Sequence, residues 1–108
     1  MTAITQKPNH SKVLPSVMLR KHRDAILASA KANGLSNVRV FGSVLHQTDT
    51  LKSDLDLLIT SSENTSLFQL GDFQDAVEQL VGASVDVVDD QWISKYYGAQ
   101  VIAEARAI

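Results

Sequence analysis

The sequence predicts a small mixed α/β domain in which helices pack on a short β-sheet. Some segments repeat apolar residues at helical spacing and others are short β-branched runs, in the order helix, strand, helical turn, strand, helix, strand, helix. At 108 residues with 44% hydrophobic composition, the chain has room for one domain with one core. Residues 1–15 contain two prolines and little periodicity, so we expect a flexible lead-in followed by a domain over residues 16–108.

The first half of the chain predicts one long helix and one strand. Apolar residues recur at helical spacing from about Ser16 to Asn33, and Gly34 follows as a stop signal. Val38–Phe41 is a short β-rich run that predicts the first strand. The pair Gly42-Ser43 then predicts a tight turn, because glycine followed by a small hydroxyl residue lets the backbone reverse sharply.

The second half predicts two more strands and two helices. Alternation over Asp54–Thr60 predicts the second strand. Helical spacing runs through residues 67–80, and Gly82 ends that helix. The β-branched run Val85–Val88 predicts the third strand, and a last helix is expected over about Lys95–Ala107.

Composition and charge exclude several function classes. The chain has no cysteine, so disulfides and thiolate chemistry are excluded. No apolar run approaches the roughly 20 residues that span a bilayer, and we expect a soluble, cytoplasmic protein. Residues 1–23 carry five basic residues and no acid, whereas residues 24–108 carry five basic and twelve acidic residues. The acidic body lacks the basic stripe of proteins that track nucleic acid, so a nucleic-acid substrate is not expected.

The segment around Asp54 and Asp56 predicts a metal and nucleotide site. On a strand, Leu55, Leu57 and Ile59 face a core and the two aspartates share the opposite face. Two carboxylates one pleat apart suit a pair of Mg²⁺ ions of the kind that assists phosphoryl and nucleotidyl transfer. Backbone N–H groups of the preceding Gly-Ser turn are suited to bind phosphate.

The third strand adds a candidate third carboxylate. Asp86 interrupts the apolar run from Val85 to Val88, and burying a charge without a partner is costly. A shared metal site would relieve that cost if this strand lies beside the second one. Asp89 and Asp90 are the alternatives, but they fall where the strand is expected to end.

These motifs resemble a known enzyme family. Gly42-Ser43, ten further residues, Asp54-Leu55-Asp56-Leu57-Leu58 and later Val85-Asp86-Val87-Val88 resemble the signature of the DNA polymerase β-like nucleotidyltransferases, and the small size resembles their minimal branch. The resemblance covers about residues 17–108 and implies the polymerase β-like palm fold. It implies that Gly42 and Ser43 bind the triphosphate of ATP, that Asp54 and Asp56 bind two Mg²⁺ ions, and that Asp86 is the third metal-binding and catalytic carboxylate.

The resemblance also implies a partner. Members of the minimal branch commonly pair with a separate helical HEPN protein, and several such pairs are toxin–antitoxin systems in which the nucleotidyltransferase is the antitoxin and can adenylylate its toxin. One departure weakens the match: family members often carry Arg-Gly where His46 and Gln47 stand here. The change removes a positive charge near the phosphates and removes backbone freedom from the loop.

The predicted function is therefore Mg²⁺-dependent transfer of AMP from ATP to a hydroxyl of a HEPN-type partner protein. Two alternatives stay open. The first is a non-catalytic antitoxin or regulatory subunit that acts by binding. The second is nucleotidylation of a small molecule such as an antibiotic, which is disfavoured because no acceptor domain is encoded here. Self-association of this chain is a weaker possibility than a helical partner.

Overall fold

The fold is the small mixed α/β domain that the sequence predicts, with helices packed on a sheet. The sheet has four strands, and apolar side chains cover both of its faces. The computed structural model describes residues 12–93 and 95–108, with the backbone alone for residues 95–97. The predicted lead-in over residues 1–15 lies for the most part outside the described residues. No helix within the described ranges is long and apolar enough to cross a membrane. The elements are α1 (Pro15–Lys21), α2 (Arg23–Ala32), β1 (Leu35–Phe41), α3 (Gly42–Leu45), β2 (Leu55–Ser61), α4 (Leu67–Val81), β3 (Val85–Asp89), α5 (Lys95–Glu104) and β4 (Arg106–Ala107).

The first and last helices differ most from the prediction. The single helix expected over residues 16–33 is two helices that meet at His22, whose φ of −106° is not helical. Residues 20–24 are all charged or polar, so this stretch has no apolar side chain that packing in the core could use to stabilise one continuous helix. The last helix ends at Glu104, not Ala107, because Arg106 and Ala107 pair with β1 as a short edge strand.

Strand order and direction bring the predicted site residues together. The sheet order is β3-β2-β1-β4, with β2 antiparallel to β1 and parallel to β3. The end of β1 therefore lies beside the starts of β2 and β3. In this register Asp56 is the partner of Phe41 on one side and of Asp86 on the other.

The central strand β2 is buried on both faces. Leu55, Leu57 and Ile59 are fully buried in the main core, which includes side chains from α1, α2 and α4. Leu58 is fully buried on the other face, where it packs with Phe41 and with Val101 of α5. A strand covered on both sides is expected to be almost continuously apolar, so the partly buried Asp56 is its exception.

Helix α4 fixes the start of β3. It begins with a capping box, in which the Ser66 hydroxyl accepts from the Gln69 N–H and the Gln69 side chain accepts from the Ser66 N–H. Glu78, 3% exposed, accepts a hydrogen bond from the Val85 N–H at 3.0 Å. This bond anchors the residue directly before Asp86.

An ion pair lies at the end of the sheet opposite to Asp56 and Asp86. Arg39 donates to Asp90 at 2.6 Å, and the Thr60 hydroxyl donates to the same carboxylate oxygen at 2.6 Å. The two charged side chains are only 12% and 15% exposed. Burial alone would raise the pKa of Asp90, but hydrogen bonds from Thr60, Arg39 and Gln91 outweigh it and lower the pKa.

Replacing Asp90 by alanine should lower the free energy of unfolding by about 2–4 kcal/mol, because Arg39 would be left largely buried without its partner. The control is Asp24→Ala, which breaks an exposed ion pair with Arg23 and should change stability little. Urea unfolding at neutral pH measures both. Equal effects of the two substitutions would show that the Arg39–Asp90 pair does not stabilise the sheet.

Candidate active site

The Gly-Ser turn joins the end of β1 to the short helix α3. Phe41 is still extended, with φ −142° and ψ −174°, and Gly42 then has φ +72°, a conformation that side chains other than glycine's rarely adopt. Ser43 follows in the first turn of α3. The first N–H groups of a helical turn have no partner within it, so this turn offers donors for an anion.

Asp56 lies directly against this turn. A Cβ atom added at Gly42 would overlap Oδ2 of Asp56 and lie 3.1 Å from its Cγ. Position 42 therefore requires glycine for two reasons: the backbone has a positive φ, and the Asp56 carboxylate occupies the space that a Cβ atom would need. The contact places a carboxylate beside the turn suited to phosphate.

Asp54, Asp56 and Asp86 form the group that we call the carboxylate cluster. Asp54 is exposed and directly precedes β2, Asp56 is partly buried in the strand, and Asp86 is exposed on β3 as the register partner of Asp56. The parallel pairing of β2 and β3 thus brings Asp86 to the predicted position.

The two alternatives to Asp86 lie elsewhere. Asp90 is engaged by Arg39 and Thr60 at the far end of the sheet. Asp89 accepts hydrogen bonds from the backbone N–H groups of Ser61 and Gln91, also at the far end. Neither carboxylate is near the Gly-Ser turn.

Like charges and burial destabilise the ionised form of Asp56. Burial, and then the charges of Asp86 and Asp54, raise the pKa of Asp56 from 3.8 to about 6. Between Lys52 and Lys95 the sequence contains no lysine or arginine, so this part of the chain supplies no cation of its own. A bound cation would reverse the effect and favour the ionised form.

The donor set fits a hard cation such as Mg²⁺. Among the described residues, no three histidine, cysteine or acidic side chains form a ready-made cage for a metal ion. Mg²⁺ usually binds through one or two carboxylates together with waters and substrate phosphates, not in an all-protein cage. The carboxylate cluster beside the Gly-Ser turn has the oxygen ligands that this mode of binding needs.

The structure adds a contact that the sequence does not reveal. Nε2 of His46, at the end of α3, lies 3.7 Å from Oε2 of Glu104 at the end of α5. Both side chains are about half exposed. The two residues are 58 positions apart, and no local pattern could have paired them. Gln47, where the resemblance leads us to expect glycine, has φ +60°, a left-handed conformation that costs other residues more than glycine.

Comparison with known proteins identifies the family. The family model described as "Polymerase beta, Nucleotidyltransferase" matches residues 25–108, and the chain belongs to this family of enzymes. Protein adenylyltransferases of Methanocaldococcus jannaschii, so named, are 29% identical to it over 87 residues, which are 81% of this chain and 86% of each relative.

Solved structures share the fold. The structure of a minimal nucleotidyltransferase matches with a TM-score of 0.82 and 33% identity, over 91% of this chain and all of that one. A toxin–antitoxin structure with AMP-PNP matches with a TM-score of 0.67 and 20% identity, over 78% of this chain and 69% of that chain. A mutant of the toxin–antitoxin MntA-HpeT matches with a TM-score of 0.64 and 18% identity, over 77% and 68%. The last two show likeness of fold alone.

Replacing Asp56 by asparagine should stabilise the metal-free protein at pH above 7. The raised pKa means that ionising Asp56 costs stability as pH rises from about 4 to about 6, and the cost persists above that range. Asparagine avoids this cost, and we expect a gain of roughly 1 kcal/mol after allowing for solvent screening.

Urea unfolding in a chelating buffer at several pH values measures this gain. It should be largest above about pH 6 and shrink toward about pH 4, where the native Asp56 is protonated. The exposed Asp75→Asn on α4 serves as the matched control and should show no such trend. A loss of stability in Asp56→Asn at high pH would make Asp56 a structural residue instead.

Proposed function

We propose that this member of the polymerase β nucleotidyltransferase family transfers AMP from ATP to a hydroxyl group of a partner protein, with Mg²⁺ as cofactor. The observation that carries the proposal is the contact of Asp56 with the Gly-Ser turn, beside a register-paired Asp86. That arrangement puts oxygen ligands for a cation next to a turn that suits a triphosphate.

Each residue of the site has a role in this proposal. Gly42 and Ser43 would bind the triphosphate through the turn, and Asp54 and Asp56 would hold Mg²⁺. Asp86 completes the carboxylate cluster and accepts the proton of the attacking hydroxyl. When bound, Mg²⁺ would neutralise the charge that builds on the phosphate oxygens.

The reaction would be a single displacement. The acceptor oxygen bonds to the α-phosphorus of ATP as the bond from that phosphorus to the bridging oxygen breaks, and pyrophosphate leaves. The chain's own contribution is to align the triphosphate along the turn and to hold a carboxylate near the acceptor hydroxyl. Without a cation, the raised pKa of Asp56 disfavours its ionised form. A bound cation would lower that pKa and favour the carboxylate.

A separate protein as the acceptor is supported by the comparisons. The relatives in Methanocaldococcus jannaschii are named protein adenylyltransferases, and two fold neighbours are toxin–antitoxin structures, one with AMP-PNP. We propose a helical HEPN-type protein as the partner and an antitoxin role for this chain. The second candidate function is an antitoxin that inhibits its partner by binding alone. The Glu104 carboxylate, 3.7 Å from Nε2 of His46, favours it, since a carboxylate beside the turn disfavours the approach of phosphates.

Intact mass of the partner separates the two functions. Incubation of the partner with this protein, ATP and Mg²⁺ should add about 329 Da for each AMP transferred. Asp54→Asn should abolish the mass increase, because it removes one ligand charge from the metal site. The matched control Asp72→Asn alters an exposed carboxylate on α4 and should transfer like the wild type.

The binding-only function gives the reverse result. The mass of the partner would stay unchanged after long incubation, and inhibition would need neither ATP nor Asp54. That outcome would contradict nucleotide transfer and leave the antitoxin role in place.

A further inference from the structure

Three large apolar side chains lie exposed at the end of the sheet opposite to the carboxylate cluster. Among the described residues, Trp92 is 83% exposed, and Leu67 and Phe68 are each 84% exposed. Trp92 follows β3, and the other two begin α4 after the loop that follows β2. Because β2 and β3 are parallel, the segments that follow them lie at the same end of the sheet.

The segments that follow β2 and β3 are joined by hydrogen bonds. Oδ1 of Asp89 accepts from the Ser61 N–H at 3.3 Å and from the Gln91 N–H at 3.0 Å. The Trp92 N–H donates to the Asp89 carbonyl at 3.0 Å. These hydrogen bonds hold the backbone of Trp92 at this end of the sheet, close to the segment that follows β2.

A small niche lies between the two segments. Its volume is about 160 Å³, and its lining residues are Ser61, Ser62, Glu63, Gln91 and Trp92. Small-molecule sites usually measure about 300–1,000 Å³, so this niche has the size for one side-chain head. It combines a carboxylate, hydroxyl and amide oxygens and an indole, which are the groups that bind guanidinium and ammonium ions.

The surroundings of the niche are acidic. Glu63 lines the niche, Asp89 accepts hydrogen bonds from two residues of its lining, and no basic side chain is among the described lining residues. Arg39 of the neighbouring strand is ion-paired with Asp90 and only 12% exposed, so it offers little charge to the surface. Oδ2 of Asp89 is buried without a hydrogen-bond partner in the described part of the chain. The surface is complementary in charge to a cation.

We propose that this surface, formed by residues 61–68 and 91–92 and called here the tryptophan edge, docks a second protein that presents an arginine or lysine among apolar side chains. The cationic head occupies the niche beside Glu63 and Trp92, and the apolar side chains pack against the exposed indole, Leu67 and Phe68. Tryptophan and arginine are the residues that dominate binding energy at protein interfaces. A protein bound at the tryptophan edge leaves the carboxylate cluster open, so the proposal does not depend on nucleotide transfer.

A selection from random displayed peptides tests this proposal without a known partner. The wild-type chain is the bait, and Trp92→Ser and Glu63→Lys are the variants against which selected peptides are compared. We expect enrichment of peptides with arginine or lysine beside apolar residues, which bind each variant about tenfold more weakly or worse. Leu51→Ser and Asp24→Lys change exposed side chains elsewhere on the molecule and should bind like the wild type.

The chain's only tryptophan gives an independent readout. Peptides without tryptophan should change the fluorescence of Trp92 as they bind, since no other indole contributes. No enrichment of basic peptides, or equal binding to all variants, would overturn the proposal. Dimers of the wild type in sedimentation that are lost in Trp92→Ser would also overturn it, because the occupant would be a second copy. If Trp92→Ser fails to fold, Glu63→Lys carries the test alone.

Discussion

The contact between Gly42 and Asp56 is the constraint on which the candidate active site depends. It needs a backbone with positive φ at the end of β1, a residue without Cβ, and a register that sets Asp56 opposite Phe41. The parallel pairing of β3 then adds Asp86 on the other side. A different residue at position 42 would separate the carboxylate from the turn, because the two cannot occupy the same space.

The carboxylates at the two ends of the sheet have opposite electrostatic environments. At the far end Asp90 has a positive partner and hydrogen-bond donors, and its pKa is lowered. At the near end Asp56 is partly buried beside two like charges, and its pKa is raised. The far end is therefore stabilised by the chain itself, whereas the near end holds a partly buried carboxylate whose ionised form a bound cation would favour. Such a cost is common where a protein gives up stability for function.

The sequence predicts the residues of the candidate site from local signals. Spacing places Gly42, Asp54 and Asp56 on consecutive elements, and the lone carboxylate in a β-branched run points to Asp86. The pairing of His46 with Glu104 and the capture of Arg106 by β1 depend on contacts between distant segments, which no local pattern encodes. The break at His22 depends on which side chains of the first two helices reach the core, and the exposure of Trp92 depends on where β3 ends. Both features depend on how the helices and strands pack, which the sequence pattern does not specify.

Calorimetric titration of ATP tests the central claim most directly. If the carboxylate cluster and the Gly-Ser turn form one nucleotide site, ATP should bind in millimolar Mg²⁺ and bind much more weakly when a chelator removes the metal. The account predicts that the metal and the nucleotide depend on each other for binding. No binding of ATP in millimolar Mg²⁺, with the partner protein or without it, would contradict it.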